Sequence, residues 1–176
     1  MPPPDARPGV ATAVLARAIT YAALFVGFVL VFLPARILRW SGIGAPAPGG
    51  LAGVAGLVLG AAGVGLAVWC ILAFAVVGKG TPAPFDPPRR LVARGPYRAV
   101  RNPMYIGAGL ALAGASLLYR SAALLGFAAG FLIVCHLFVL VYEEPTLRRM
   151  FGAEYDDYCG RVGRWWPRRR RTAHAG

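Results

Sequence analysis

Residues 51–77 contain no charged side chain. A run this long and apolar exceeds the roughly 20 residues needed to cross a hydrocarbon core. Only a helix satisfies every backbone N–H and C=O within such a segment. Three further segments have the same character: residues 18–33, 104–119 and 121–142. Apolar residues make up 57% of the 176-residue chain and mean hydropathy is +0.58, too oily for a soluble domain of that size. The reading is all-α: an integral membrane bundle of about four transmembrane helices in one domain. Arg120 divides the last apolar run, and the third span is short, so spans three and four are expected to form a hairpin.

The net charge of +12 is unevenly placed. Lys79, Arg89, Arg90, Arg94, Arg98 and Arg101 lie between spans two and three. Arg148, Arg149, Arg161, Arg164 and Arg168 onward follow span four, and Arg7 and Arg17 precede span one. The opposite face would hold only Arg36, Arg39 and Arg120. The positive-inside rule then sets both termini and the second loop in the cytoplasm, as in a multi-pass plasma (inner) membrane protein. The basic excess also attracts anionic membrane lipids. No nucleic-acid-binding motif is present, so no nucleic-acid partner is expected. Cys70, Cys135 and Cys159 show no metal-ligand or disulfide spacing, so no metal is expected.

Three parts follow: N-terminal helices over 1–77, a core over 78–167 and a basic tail over 168–176. Pro34 is expected to end the first span. Gly56, Gly60 and Gly63 share one face of span two, a GxxxG-type packing surface that also permits a homodimer, and Gly126 and Gly130 repeat the pattern in span four.

The stretch Gly95-Pro96-Tyr97-Arg98-Ala99-Val100-Arg101-Asn102-Pro103-Met104-Tyr105 sets arginines and tyrosines where span three begins. Asn102-Pro103 reads as a helix start, Asn at the N-cap and Pro at the first helical position. The exposed N–H groups there favour an anionic or lone-pair ligand. Span four ends in Glu143-Glu144-Pro145, where two acids at a helix C-terminal end oppose the dipole and Pro145 is expected to interrupt the helix. Topology returns these acids to the face that carries Arg98 and Arg101. They form either an interfacial salt-bridge network or a pocket of both signs suited to a zwitterion. His136 lies about two turns before Glu143, on the same helix side, and is a candidate pocket residue. Gly152 is expected to cap a helix. Tyr155, Tyr158, Cys159 and Val162 then form one face of an amphipathic helix lying on the membrane interface, anchored by Trp165 and Trp166.

Leu91-Val92, Gly95-x-Tyr97, Arg101-Asn102-Pro103-x-Tyr105, Glu143-Glu144, Leu147, Phe151-Gly152, Tyr155, Tyr158 and Val162 together resemble the isoprenylcysteine carboxyl methyltransferase family, to which phospholipid N-methyltransferases are related. The resemblance covers residues 80–167. It implies a membrane-embedded enzyme that uses S-adenosylmethionine on a lipid-like or hydrophobic acceptor. It also implies a cofactor pocket of Arg90, Leu91, Val92, Tyr97, Asn102, Pro103, Met104 and Tyr105, with Glu143 at the cofactor's amino group. The chain departs from the eukaryotic prenylcysteine enzymes in three places: Arg89 and Asn102 stand where those carry histidine, and Val139 where they carry a substrate-handling arginine.

A methyl sulfonium is already activated, so the protein mainly aligns nucleophile, methyl and sulfur. A carboxylate nucleophile needs no base, whereas an amine must lose a proton, which Glu144 or His136 would accept. Tyr105 and Tyr97 would orient the sulfonium, and Arg101 belongs to the cationic side of the pocket. The expected catalytic group is therefore Arg101, Tyr105, Glu144 and His136. Two other readings stay open on the sequence: an NADPH-dependent reductase of sterol-reductase type, and a non-catalytic lipid-binding membrane protein.

Overall fold

A short π turn, Phe28–Phe32, leads into helix α1, Leu33–Trp40. Helix α2, Gly50–Ala73, follows. A 3-10 turn, Gly95–Arg98, precedes helix α3, Pro103–Leu118. Helix α4, Ala122–Phe138, runs through a second π turn, Val139–Glu143, into α5, Glu144–Phe151, and α6, Ala153–Arg161, completes the order. The computed structural model describes residues 26–73 and 91–168. Residues 18–25, the loop with Lys79, Arg89 and Arg90, and the tail from residue 169 lie outside them.

The all-helical expectation holds. Among the described residues the only extended pairing is an isolated parallel bridge between Val100 and Gly163. The number of spans is corrected. Among the described residues two helices, Gly50–Ala73 and Ala122–Phe151, are long and apolar enough to cross a membrane, not four. α3 is apolar but has only 16 residues, and the first expected span lies partly outside the described residues.

α2 and α3 pack antiparallel along a glycine seam. A Cβ on Gly56 would meet the Gly114 carbonyl oxygen at 2.7 Å, and one on Gly63 would press on the backbone of Gly107 and Ala111. Gly107 and Gly114 meet Gly63 and Gly56 reciprocally. Only hydrogen side chains allow the backbones this close. This seam uses Gly56 and Gly63 within the chain, whereas a Cβ on Gly60 would meet nothing within 4 Å. Gly126 and Gly130 do not repeat the arrangement, because a Cβ on either would meet nothing within 4 Å.

The hairpin between α3 and α4 forms as expected. Arg120 turns it with φ at 49° and donates to the Gly49 carbonyl, 3.1 Å away. Ser121 caps α4 by accepting from the Leu124 amide, at 3.2 Å.

Both prolines expected to stop helices are carried through instead. Pro34 lies two residues after the π turn that ends at Phe32, and Pro145 two residues after the one that ends at Glu143. A π turn redirects hydrogen bonds by one residue, which makes room for a ring that lacks an N–H. The helix from Ala122 therefore continues to Phe151. The two glutamates are mid-helix, so the dipole penalty anticipated for them does not arise.

Gly152 ends α5 with φ at 51° and ψ at −126°, a conformation open to glycine. The apolar face of α6 is buried in protein rather than laid on a surface: Tyr155, Tyr158 and Val162 pack with Leu91, Ala93, Leu147 and Phe151. Trp166 remains 83% exposed, while Trp165 turns inward.

Candidate functional site

The site is assembled where three pieces meet: the loop before α3, the π turn between α4 and α5, and a strap, residues 162–168, that follows α6. The 3-10 turn seats Tyr97 against α2, in a buried cluster with Val92 and Cys70 onto which Met104 packs. Burial pushes the Tyr97 hydroxyl well above the ordinary phenol range. The Tyr158 hydroxyl, raised likewise by burial, donates to the Tyr97 carbonyl at 2.7 Å. That bond ties α6 to the loop.

α3 starts at Pro103 as the Asn-Pro pair predicts, but the Asn102 side chain makes no capping bond. Its amide instead donates to the Arg164 carbonyl, 3.2 Å away. The strap runs beside the helix start and offers a buried acceptor, which the side chain takes in place of the helix N–H groups. Asn102→Ala would leave that carbonyl unsatisfied. A loss of about 1–2 kcal/mol is expected, read as a lower midpoint in denaturant unfolding with unchanged helix content.

The two adjacent acids separate into different environments. Glu143 is half-buried and accepts from the Tyr105 hydroxyl at 3.0 Å. Glu144 is buried, at 6% exposure. Arg164 grips it with two bonds, Nε to Oε1 at 2.6 Å and Nη2 to Oε2 at 2.9 Å. Arg101 reaches the same Oε1 through Nη2 at 3.2 Å. The bond to Glu144 raises Arg164 above the ordinary guanidinium range. Of the two expected cationic partners, Arg101 is engaged and Arg98 stays exposed on the 3-10 turn.

His136 and Glu143 do not share a side. The π turn between them inserts one residue into the helical register, so Glu144 comes round to the side of His136. Their partners show this, since Glu144 binds Arg164 and His136 Nδ1 accepts from Nε1 of Trp165, the next residue, at 3.0 Å. A neutral imidazole that accepts at Nδ1 carries its proton on Nε2.

The remaining Arg101 nitrogens differ. Nη1 contacts the Cys159 sulfur, and Nε is buried without an acceptor among the described residues. Two guanidinium groups against one carboxylate leave this cluster with a positive charge in excess.

The structure thus brings Asn102, Pro103, Met104, Tyr105, Arg101, Glu143 and Glu144 together around the start of α3. Leu91 packs beside them on the α6 cluster, Val92 and Tyr97 form the core behind, and Val139 is buried at the start of the π turn. Arg90 lies outside the described residues. Arg164, Trp165 and Cys159 belong to the same constellation, and sequence reasoning missed them. The available signal was an arginine between Gly163 and a tryptophan pair, just past the last residue of an amphipathic face.

The family model for phospholipid methyltransferases matches residues 51–154, more than half of the chain. The chain belongs to that family. The match begins at α2, so the glycine seam falls within the family's region, upstream of residues 80–167 that carry the resemblance. It ends just after the start of α6, which leaves the strap beyond it. The family is one of methyltransferases, which favours methyl transfer over reduction and over a purely lipid-binding role. No curated protein and no solved structure matches the chain.

Proposed function

We propose that the protein is a membrane-embedded, S-adenosylmethionine-dependent methyltransferase acting on a lipid-like acceptor whose nucleophile is an amine. The observation that carries this reading is the separation of charge at the start of α3. Among the described residues Glu143 presents a carboxylate that engages no arginine, and the Arg101 cluster presents the excess positive charge. The amino-acid end of the donor has one ammonium and one carboxylate. Glu143 suits the first; Arg101, with its orphaned Nε, suits the second.

When bound, the donor supplies an activated methyl group on a sulfonium. The chain's own residues bind and orient. Tyr105 fixes the Glu143 carboxylate and offers a ring face to a cation. Met104 stands on the apolar side, and Val92, Tyr97, Leu91, Pro103 and Asn102 hold the loop behind it. Both oxygens of Glu144 are taken by guanidinium groups, and His136 is held by Trp165. Their assigned role is therefore to hold the site, while Glu143 stays with the donor's ammonium, so the acceptor amine reacts in its unprotonated form.

α3 rises about 24 Å over its length, short of the ~30 Å hydrocarbon core. Packed along α2, its N-terminus and the site would sit at or just below the cytoplasmic headgroup level. A lipid would reach the site sideways while the donor enters from the cytosol. Nearby, a groove of about 570 Å³ lined by Val141, Pro145, Arg148 and Arg149 suits the headgroups of anionic lipids. Both termini are assigned to the cytoplasmic side of the plasma membrane by the charge distribution.

Calorimetric titration of the full chain in detergent with S-adenosylhomocysteine tests the reading. Glu143→Gln should weaken binding about tenfold or more, since a hydrogen bond to a charged group contributes about 1.5–3 kcal/mol. Tyr105→Phe should weaken it by a smaller factor, about three- to tenfold. Equal affinity in wild type and Glu143→Gln would remove Glu143 from the site.

A further inference from the structure

The strap after α6 meets the loop before α3, Glu144 and His136 with consecutive residues. The Arg101 amide donates to the Gly163 carbonyl at 2.9 Å, and Val100 bridges to Gly163. Asn102 donates to the Arg164 carbonyl, the Arg164 side chain holds Glu144, and Trp165 holds His136. A Cβ on Gly163 would run into the Trp166 carbonyl oxygen, so the tight path of the strap requires glycine there. Arg168 closes the turn onto the Gly160 carbonyl at 2.7 Å.

Arg164 does more here than neutralise an acid. Arg101 alone balances the charge of Glu144, at 3.2 Å. The second guanidinium grips both oxygens in a planar fork, which fixes the carboxylate's rotation. A carboxylate fixed in this way determines where Arg101 can lie, with Nη2 on Glu144, Nη1 toward Cys159 and Nε desolvated with no acceptor among the described residues. A buried donor without a partner is a standing cost that a ligand's acceptor removes. The excess charge of the cluster selects an anionic acceptor.

We propose that Arg164 is a positioning residue that locks Glu144 and so holds Arg101 as the arm reading an oxyanion, making the strap a working part of the site. The proposal rests on the methyltransferase reading for the identity of the ligand but not for the existence of the subsite. The oxyanion is either the carboxylate of the methyl donor or the phosphate of a lipid acceptor, and both present the same chemistry to a guanidinium.

The test uses the full chain in detergent and three soluble probes. S-adenosylhomocysteine carries the carboxylate, methylthioadenosine lacks it, and glycerophosphoethanolamine carries the phosphodiester. Arg164→Leu should weaken one oxyanion-bearing probe about tenfold and leave methylthioadenosine unchanged. Arg164→Lys, which keeps the charge and loses the fork, should recover part of the affinity, leaving about a threefold loss. Loss confined to S-adenosylhomocysteine assigns the donor carboxylate, and loss confined to glycerophosphoethanolamine assigns the acceptor phosphate. If the Leu variant does not fold, the Lys variant carries the comparison, with its thermal midpoint measured without ligand. Unchanged affinity for both oxyanion probes overturns the proposal, and so does equal loss for all three probes in step with the midpoint. Failure of wild type to bind S-adenosylhomocysteine would instead overturn the donor assignment, while the phosphodiester probe still reads the subsite.

Discussion

Glu144→Gln is expected to destabilise the protein by about 3 kcal/mol, far more than Glu143→Gln next to it. Glu144 is 6% exposed and takes bonds from two arginines. The substitution keeps the shape and removes the charge, leaving two guanidinium groups against a neutral amide. The Arg101 side chain is 12% exposed, so little water remains to screen it. Breaking a buried pair in this way costs about 3–5 kcal/mol. The Arg164 side chain, 32% exposed, is partly screened, which places the expectation at the low end. Among the described residues Glu143 has a single tyrosine donor, and its substitution should cost about 1 kcal/mol. Denaturant unfolding in detergent micelles measures both. Equal midpoints for the two variants would show that the Arg101–Glu144–Arg164 cluster does not hold the site together.

The second large effect lies in the glycine seam. Gly63→Leu and Gly114→Leu should each cost more than about 3 kcal/mol, above the usual range for overpacking, and should abolish donor binding. The reason is that the obstacles are backbone atoms. A Cβ at Gly114 faces the Gly60 amide and the Gly56 carbonyl, and one at Gly63 faces Ala111 and Gly107. Backbone cannot rotate away as a side chain can, so the helices must separate. α3 carries Pro103, Met104 and Tyr105 at its start, and separation from α2 would move them off the Tyr97 cluster. Gly126→Ala and Gly130→Ala serve as controls. Their Cβ positions are open, and helix propensity predicts a gain of about 0.5–1 kcal/mol. A Gly63→Leu protein with wild-type midpoint and affinity would contradict the seam.

The two glycine sets look alike as sequence, and both carry the GxxxG-type spacing. Spacing puts residues on one face; it does not say what the face meets. The same limit applies to the prolines. Pro34 and Pro145 read as helix ends because each removes a hydrogen bond, and the π turns that absorb them have no sequence mark as plain as the proline itself. The alignment of His136 with Glu143 depended on that register. Counting 3.6 residues per turn from His136 aligned it with Glu143, and one inserted residue transfers the alignment to Glu144.

Local chemistry determined what the sequence could show by itself. Long charge-free runs fixed an all-helical chain, since only helices satisfy such backbone internally. Asn102-Pro103 fixed where α3 begins, because proline suits a first turn that needs no N–H. Gly152 fixed where α5 ends, because its φ and ψ exclude a side chain. The motifs from Leu91 to Val162 pointed to the methyltransferase family. Tertiary structure alone decided which glutamate faces which partner, that Asn102 spans to the strap instead of capping its helix, and that Arg164 completes the site from 20 residues beyond Glu144. Those choices depend on helix register and on contacts between segments distant in the chain. A single inserted residue rotates a side chain by about 100°, which no local pattern of residue types records.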